Sequence, residues 1–162
     1  MASRFCDGSF GIWYGADSVE TSVYETMHHW HKGTLTDAGF DQRVASGERE
    51  NITGERKLYW VRCDAALVDL RQRVRAYPDL VRQDNYLFTQ AIGARLKREG
   101  HPGLVTLSAR CKGENFGVLN PALLSNPQVC CYLTYRLTAK GIEVEREIGQ
   151  IWMRLPLLSV DA

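Results

Sequence analysis

The stretch Phe10-Gly11-Ile12-Trp13-Tyr14-Gly15-Ala16-Asp17-Ser18-Val19-Glu20-Thr21-Ser22-Val23-Tyr24-Glu25-Thr26-Met27-His28-His29-Trp30 decides the fold. Its first six residues, Phe10 to Gly15, are aromatic and bounded by glycine, which reads as a short strand. Asp17, with Glu20 three residues later, resembles a capping arrangement that opens a helix. Val19, Val23, Met27 and Trp30 then recur at helical spacing and define one buried face. Thr21, Glu25 and His29 fall at four-residue steps on another face, with His28 beside them. The helix is expected to end near Gly33. A strand running directly into an amphipathic helix sets the theme of a mixed domain.

Working outward, Gly39 to Arg56 is polar and reads as a surface loop, while Leu58 to Val61 reads as a strand leading into Asp64. Asp64 to Val74 reads as a helical turn with Leu67, Leu70 and Val74 on one side. Asp84 is placed to cap a helix to about Arg98, with Leu87, Ala91 and Ala94 inward and Gly100 as its stop. Gly103 to Ser108 reads as a buried strand closed by a polar residue, and Gly113 to Pro127 as loop. Val129 to Leu137 has strand composition, and Glu143 to Met153 reads as a further strand. The sum is an α+β (mixed α/β) single domain.

Composition agrees with that reading. The 162 residues are 44% hydrophobic and 24% charged, enough to bury a core without the signature of disorder. With 20 Lys+Arg against 19 Asp+Glu, the net charge of +1 removes the main sequence argument for direct DNA or anionic-membrane binding. No run of about 18 apolar residues is present, and the first residues lack the apolar stretch of a secretory signal. The five cysteines, Cys6, Cys63, Cys111, Cys130 and Cys131, are an odd set without a Cys-x-x-Cys pair. They read as reduced, packed thiols of a cytoplasmic protein, and no metal site is expected. Gly8 and Gly11 precede the strand instead of following it, so they are not a dinucleotide-binding fingerprint.

Four positions stand out for chemistry. Arg4 and Tyr14 flank a glycine-rich turn, Glu25 lies off the apolar stripe of its helix, and Ser108 closes an apolar strand. Each also has an ordinary role: a solvated arginine, a core aromatic with a wet hydroxyl, a solvent-facing helix carboxylate, a turn starter. Spacing alone does not make them a site.

The run Ser3-Arg4-Phe5-Cys6-Asp7-Gly8-Ser9-Phe10-Gly11-Ile12-Trp13-Tyr14, continued through Ser18-Val19-Glu20-Thr21-Ser22-Val23-Tyr24-Glu25, resembles the core of the RES domain. That pattern has an Arg before a glycine-containing turn, a Tyr at the end of a strand, and Ser-x-Glu-Thr-(Ala/Ser)-x-x-Glu opening a helix. Gly103-Leu104-Val105-Thr106-Leu107-Ser108-Ala109-Arg110 is similar to the later Gly-(Ile/Leu)-x-x-x-Ser-x-Arg element. The matches span about Ser3 to Leu137. By that resemblance 162 residues is short for the family, with the deficit ahead of Arg4.

The resemblance implies an ADP-ribosyltransferase-like fold and a toxin of a toxin–antitoxin pair that consumes NAD as substrate, with no other cofactor. Glu25 would then be catalytic, a fixed carboxylate beside the positive charge that develops on the ribose as nicotinamide leaves. Arg4, Tyr14, Ser108 and His29 would bind NAD: Arg4 through a phosphate, Tyr14 through its ring and hydroxyl, Ser108 through the amide or a ribose hydroxyl. His29 would contact the ligand or Glu25, or pack against a tryptophan. Arg110, two residues after Ser108, would face the same side of a strand or pair with a surface carboxylate. The implied partner is a helix-turn-helix antitoxin, so that DNA is reached only through it; membrane contact is not expected, and an oligomer is left open. The first alternative is mono-ADP-ribosylation of a protein through the same site. The second is a catalytically inactive, antitoxin-binding remnant.

Overall fold

The computed structural model describes residues 2–47 and 51–156. Among them are three α-helices and two four-stranded sheets, the mixed α+β composition expected. The chain divides into two compact units, one of residues 1–24 and 61–126 and the other of residues 25–60 and 127–162.

The first unit is built on a sheet in the order β1 (Trp13–Ala16), β5 (Glu114–Val118), β4 (Gly103–Leu107), β3 (Val68–Asp69). The β1–β5 and β5–β4 pairs are antiparallel and β4–β3 is parallel. β4 is the buried strand expected, with Gly103 through Thr106 inaccessible. Helix α3 (Leu87–Arg98) supplies Leu96 to a core with Phe5, Leu104 and Leu119, flanked by Phe10, Ile12, Val68, Leu70 and Ile92. Each fully buried Leu or Phe side chain there stabilises the unit by roughly 1.5–3 kcal/mol relative to exposure.

In the second unit β2 (Ile52–Cys63), β6 (Leu124–Thr138), β7 (Gly141–Glu147) and β8 (Gln150–Leu155) follow one another across the other sheet. Alternation sets its faces. Leu133, Tyr135 and Leu137 are buried, and register places Tyr135 against Val144 and Leu137 against Ile142. Ile142 in turn faces Leu155, so Leu137, Ile142 and Leu155 form one apolar rung. The other face carries Arg136, Glu143 and Arg154, with Arg136 on Glu145 at 2.9 Å and Arg154 on Glu143 at 3.2 Å. Trp30, at the end of helix α1 (Val19–Trp30), lies 5.8 Å from the Tyr135 ring, and Thr26 shares a 2.8 Å hydrogen bond with the Tyr135 hydroxyl. A Cβ on Gly54 of β2 would sit 3.2 Å from the Trp30 ring.

Several expectations are corrected. The cap of α1 is Ser18, whose Oγ accepts the Thr21 N–H at 3.1 Å, one residue after the expected Asp17, whose own N–H donates to the Glu114 carbonyl. Beyond Trp30 the chain winds on as a π-helical stretch, His31–Thr36, past the expected stop. The expected loop from Gly39 to Arg56 contains α2 (Phe40–Ala45) and the start of β2, while residues 48–50 of it lie outside the described residues. Residues 64–74 hold β3 and a short 3-10 turn, Arg71–Arg73. β5 lies inside the expected loop after Gly113, since its glycine at 117 lets Ile12 and Leu104 approach. The single strand expected over residues 143–153 is the β7–β8 hairpin, turned at Gly149 with φ 77°.

Helix α3 is the correction with most bearing on the site. Its N–H at Leu87 is capped by Asn85 Oδ1 at 3.0 Å, whereas Asp84 pairs with Arg82. Its inward face is Thr89, Gly93 and Leu96, and Leu87 is 75% exposed. Apolar periodicity pointed to Leu87, Ala91 and Ala94; a close backbone approach set the face instead. A Cβ on Gly93 would stand 1.8 Å from the Phe5 carbonyl oxygen.

Candidate functional site

Arg4 sits in a tight turn closed by reciprocal backbone bonds between Ser3 and Cys6, 2.6 and 3.3 Å. Four side chains fix that turn. The Tyr14 hydroxyl, from β1, accepts the Phe5 N–H at 3.0 Å and shares a 2.9 Å bond with Ser3 Oγ. Thr89 Oγ1 donates to the Arg4 carbonyl at 2.5 Å, and Gln90 Nε2 donates to the Ser3 carbonyl at 3.0 Å. Cys6, buried, donates its Sγ–H to the Phe10 carbonyl at 2.8 Å and accepts the Gly8 N–H, which is the packed-thiol role expected of it. All five cysteines are free thiols, but the packed role holds for Cys6 alone, since Cys63 is exposed and Cys111, Cys130 and Cys131 are half-buried.

Tyr14 therefore belongs to the structure that aims Arg4, while the residue stays 40% exposed. Burial pushes its hydroxyl above the usual phenol range, countered in part by the bonds to Ser3 and Phe5, so it stays protonated at neutral pH. The Arg4 guanidinium lies over the ring of Tyr86, 4.7 Å from its centre, and Nη1 donates to the Arg82 carbonyl at 2.6 Å.

Ser108 follows β4 and is buried. Its Oγ accepts two backbone N–H groups, from Arg110 at 3.0 Å and Cys111 at 3.3 Å, and its own N–H donates to the Gly113 carbonyl. This hydroxyl organises the turn that carries Arg110. Arg110 is accordingly not a strand residue alternating with Ser108; the chain has already turned. Its Nη2 donates to the Tyr86 hydroxyl at 3.1 Å and to the Gln83 carbonyl at 3.4 Å. Arg4, Tyr14, Ser108, Arg110 and Tyr86 thus all lie in the first unit. Tyr86 escaped the sequence reading, since nothing in its neighbourhood marks an aromatic residue that receives two arginines.

Glu25 and His29 lie in the second unit, on the C-terminal half of α1. Glu25 is half-buried and His29 exposed, while the neighbouring His28 is buried with its ring 5.7 Å from that of His29. The helix that carries Glu25 is anchored one turn earlier. Thr21, on the same face, is buried against Gly113, where a Cβ would stand 2.0 Å from the threonine Oγ1, and the Ser18 and Thr21 hydroxyls bond at 2.9 Å.

A third charged group stabilises the first unit. Arg71 donates to both oxygens of Asp69 and both of Glu114, at 2.7–3.0 Å. Its hydrogen bonds hold the Asp69 carboxyl down at about 2, against an ordinary 3.8. Among the described residues no group of three or more His, Cys, Asp or Glu side chains gathers as a metal site, and no helix is long and apolar enough to cross a membrane.

Comparison with curated proteins returns no match. The RES domain family model matches residues 1–138, a span that contains Arg4, Tyr14, Glu25, His29 and Ser108. The chain belongs to the RES domain family, which is associated with NAD-related toxin activity.

Proposed function

We propose that this chain consumes NAD by cleaving its nicotinamide–ribose bond, with water or phosphate as acceptor, and that Glu25 is the catalytic carboxylate. The family match across residues 1–138 carries the reading. In the hydrolytic case the C1′–N bond breaks with its electron pair going to nicotinamide, which leaves neutral from a cationic ring. A water oxygen forms the new C1′–O bond and releases its proton to Glu25 or to solvent. No strong general acid is needed for such a leaving group. The demand falls on stabilising positive charge at the ribose, which a carboxylate on a firmly capped helix meets without reorganising. Arg4 binds a phosphate of the dinucleotide, Tyr14 offers its ring, and Ser108 and His29 are assigned to ligand contact. The natural partner is an antitoxin, as is typical of RES domain proteins.

The test is nicotinamide release from NAD in the presence of a cell lysate and labelled NAD. Free nicotinamide without a labelled protein band is expected, and Glu25→Gln should lower the rate about a hundredfold or more with an unchanged circular dichroism spectrum. Wild-type turnover in Glu25→Gln removes Glu25 from the chemistry. A labelled protein band instead moves the acceptor from water or phosphate to protein.

A further inference from the structure

We propose that Arg4 and Arg110 are the two arms of a clamp for a diphosphate, with Tyr86 as the residue that positions both. This deepens the NAD reading and rests on it. One phosphate-binding arginine was expected; the geometry supplies a second from a different part of the chain. Arg4 comes from the Ser3–Cys6 turn and Arg110 from the turn after β4, more than a hundred residues apart in sequence. Both converge on a single side chain. Arg4 takes the electron-rich face of the Tyr86 ring, 4.7 Å from its centre, and Arg110 takes the lone pairs of its hydroxyl at 3.1 Å. Each cation therefore meets a negative part of the same residue.

The segment leading to Tyr86 braces the pair. Carbonyls of consecutive residues, Arg82 and Gln83, accept from Arg4 and Arg110 respectively, and the Gln83 side chain donates to the Ala109 carbonyl at 2.8 Å. The carboxylates of that segment, Asp79 and Asp84, bond Arg82. Tyr86 also sits immediately before Leu87, where α3 begins, so the positive end of a 12-residue helix adds to the local potential. An anion that meets both guanidiniums is attracted by each of them. Each guanidinium is a planar fork matched to phosphate oxygens, so two of them match the two phosphates of a dinucleotide better than the single phosphate of a mononucleotide. Ser108 enters the same device, because its hydroxyl holds the turn that presents Arg110.

Calorimetric titration of the whole chain with inorganic pyrophosphate, inorganic phosphate, NAD and nicotinamide riboside tests the clamp. Pyrophosphate should bind at least about tenfold more tightly than phosphate. Arg110→Gln should weaken pyrophosphate and NAD roughly tenfold or more while leaving the riboside unchanged. Tyr86→Phe keeps the ring beneath Arg4 and loses only the hydroxyl, so its loss of affinity should be smaller than that of Tyr86→Leu. A purely structural role for Tyr86 would show as a lowered melting temperature with no such ordering. Wild-type affinity for pyrophosphate and NAD in Arg110→Gln, with nicotinamide release intact, overturns the clamp and leaves the Glu25 chemistry standing. Pyrophosphate binding that depends on Arg110, in a wild-type chain that releases no nicotinamide, supports the clamp and overturns NAD cleavage.

Discussion

The two units solve the problem of holding a shape in different ways. In the second, period-two alternation does the work: Leu133, Tyr135 and Leu137 face inward from β6, and Val144, Ile142 and Leu155 meet them from β7 and β8. Such rungs resist unfolding but place no particular atom, since apolar contact is non-directional. Around Arg4 in the first unit, directional bonds dominate. Two hydroxyls and an amide side chain, from Tyr14, Thr89 and Gln90, reach the backbone of a four-residue turn, and a glycine lets α3 come up against it. Each such bond contributes only about 1 kcal/mol net, yet together they define where one guanidinium points. Precision is concentrated where the proposed ligand chemistry needs it.

That contrast can be broken from either side. Leu137→Ala removes the centre of a fully buried rung and should cost about 2–5 kcal/mol of unfolding free energy, read from urea denaturation. At temperatures where the variant remains folded, its pyrophosphate affinity should equal that of wild type. A loss of affinity there would mean that the rungs also place ligand groups, and the contrast would fail.

Gly93→Ala attacks the other side. The added methyl meets the Phe5 carbonyl, a backbone atom that no rotamer change can move away. The turn must shift, at a cost of about 1–3 kcal/mol. Despite the smaller stability loss, pyrophosphate and NAD should bind several-fold more weakly than to Leu137→Ala, because Arg4 travels with the turn. Unchanged affinity would show that its position tolerates displacement.

The same contrast explains what could be read from the sequence. Helix α1 was legible because Val19, Val23, Met27 and Trp30 follow an apolar period; its cap moved by one residue, and its end runs on into the π-helical stretch. The inward face of α3 was not, because Thr89 and Gly93 are chosen for a hydrogen bond and a close approach, which carry no hydropathy signal. β5 was hidden for a related reason: in the segment Glu114-Asn115-Phe116-Gly117-Val118, strand pairing on both edges outweighs poor intrinsic propensity. Arg4, Tyr14, Glu25 and Ser108 stand out by residue type, and their assignment with His29 to one site rests on the family resemblance alone. Arg4 and Arg110 each fall in an element of that resemblance, but no sequence period points to their meeting on Tyr86, which lies in a third segment just ahead of α3.

The smallest effect sharpens the comparison at its most exposed point. Arg71 ties Asp69 of β3 to Glu114 of β5 by side-chain bonds, and these lower the Asp69 pKa from 3.8 to about 2. A carboxyl with a depressed folded-state pKa contributes stability that is present above its unfolded value and is lost as pH falls through the folded one. Wild type should therefore exceed Arg71→Gln in stability at about pH 5, and the gap should close as pH falls toward about 2. Side-chain exposures near 40% at Arg71 and Asp69 leave the pair open to solvent, so added salt should narrow the gap at the higher pH. A gap that is constant from about pH 5 to about pH 2 would assign the role of Arg71 to packing alone. The polar tethers of the first unit would then divide into those that stabilise it through charge and those, like the bonds around Arg4, that only aim a side chain.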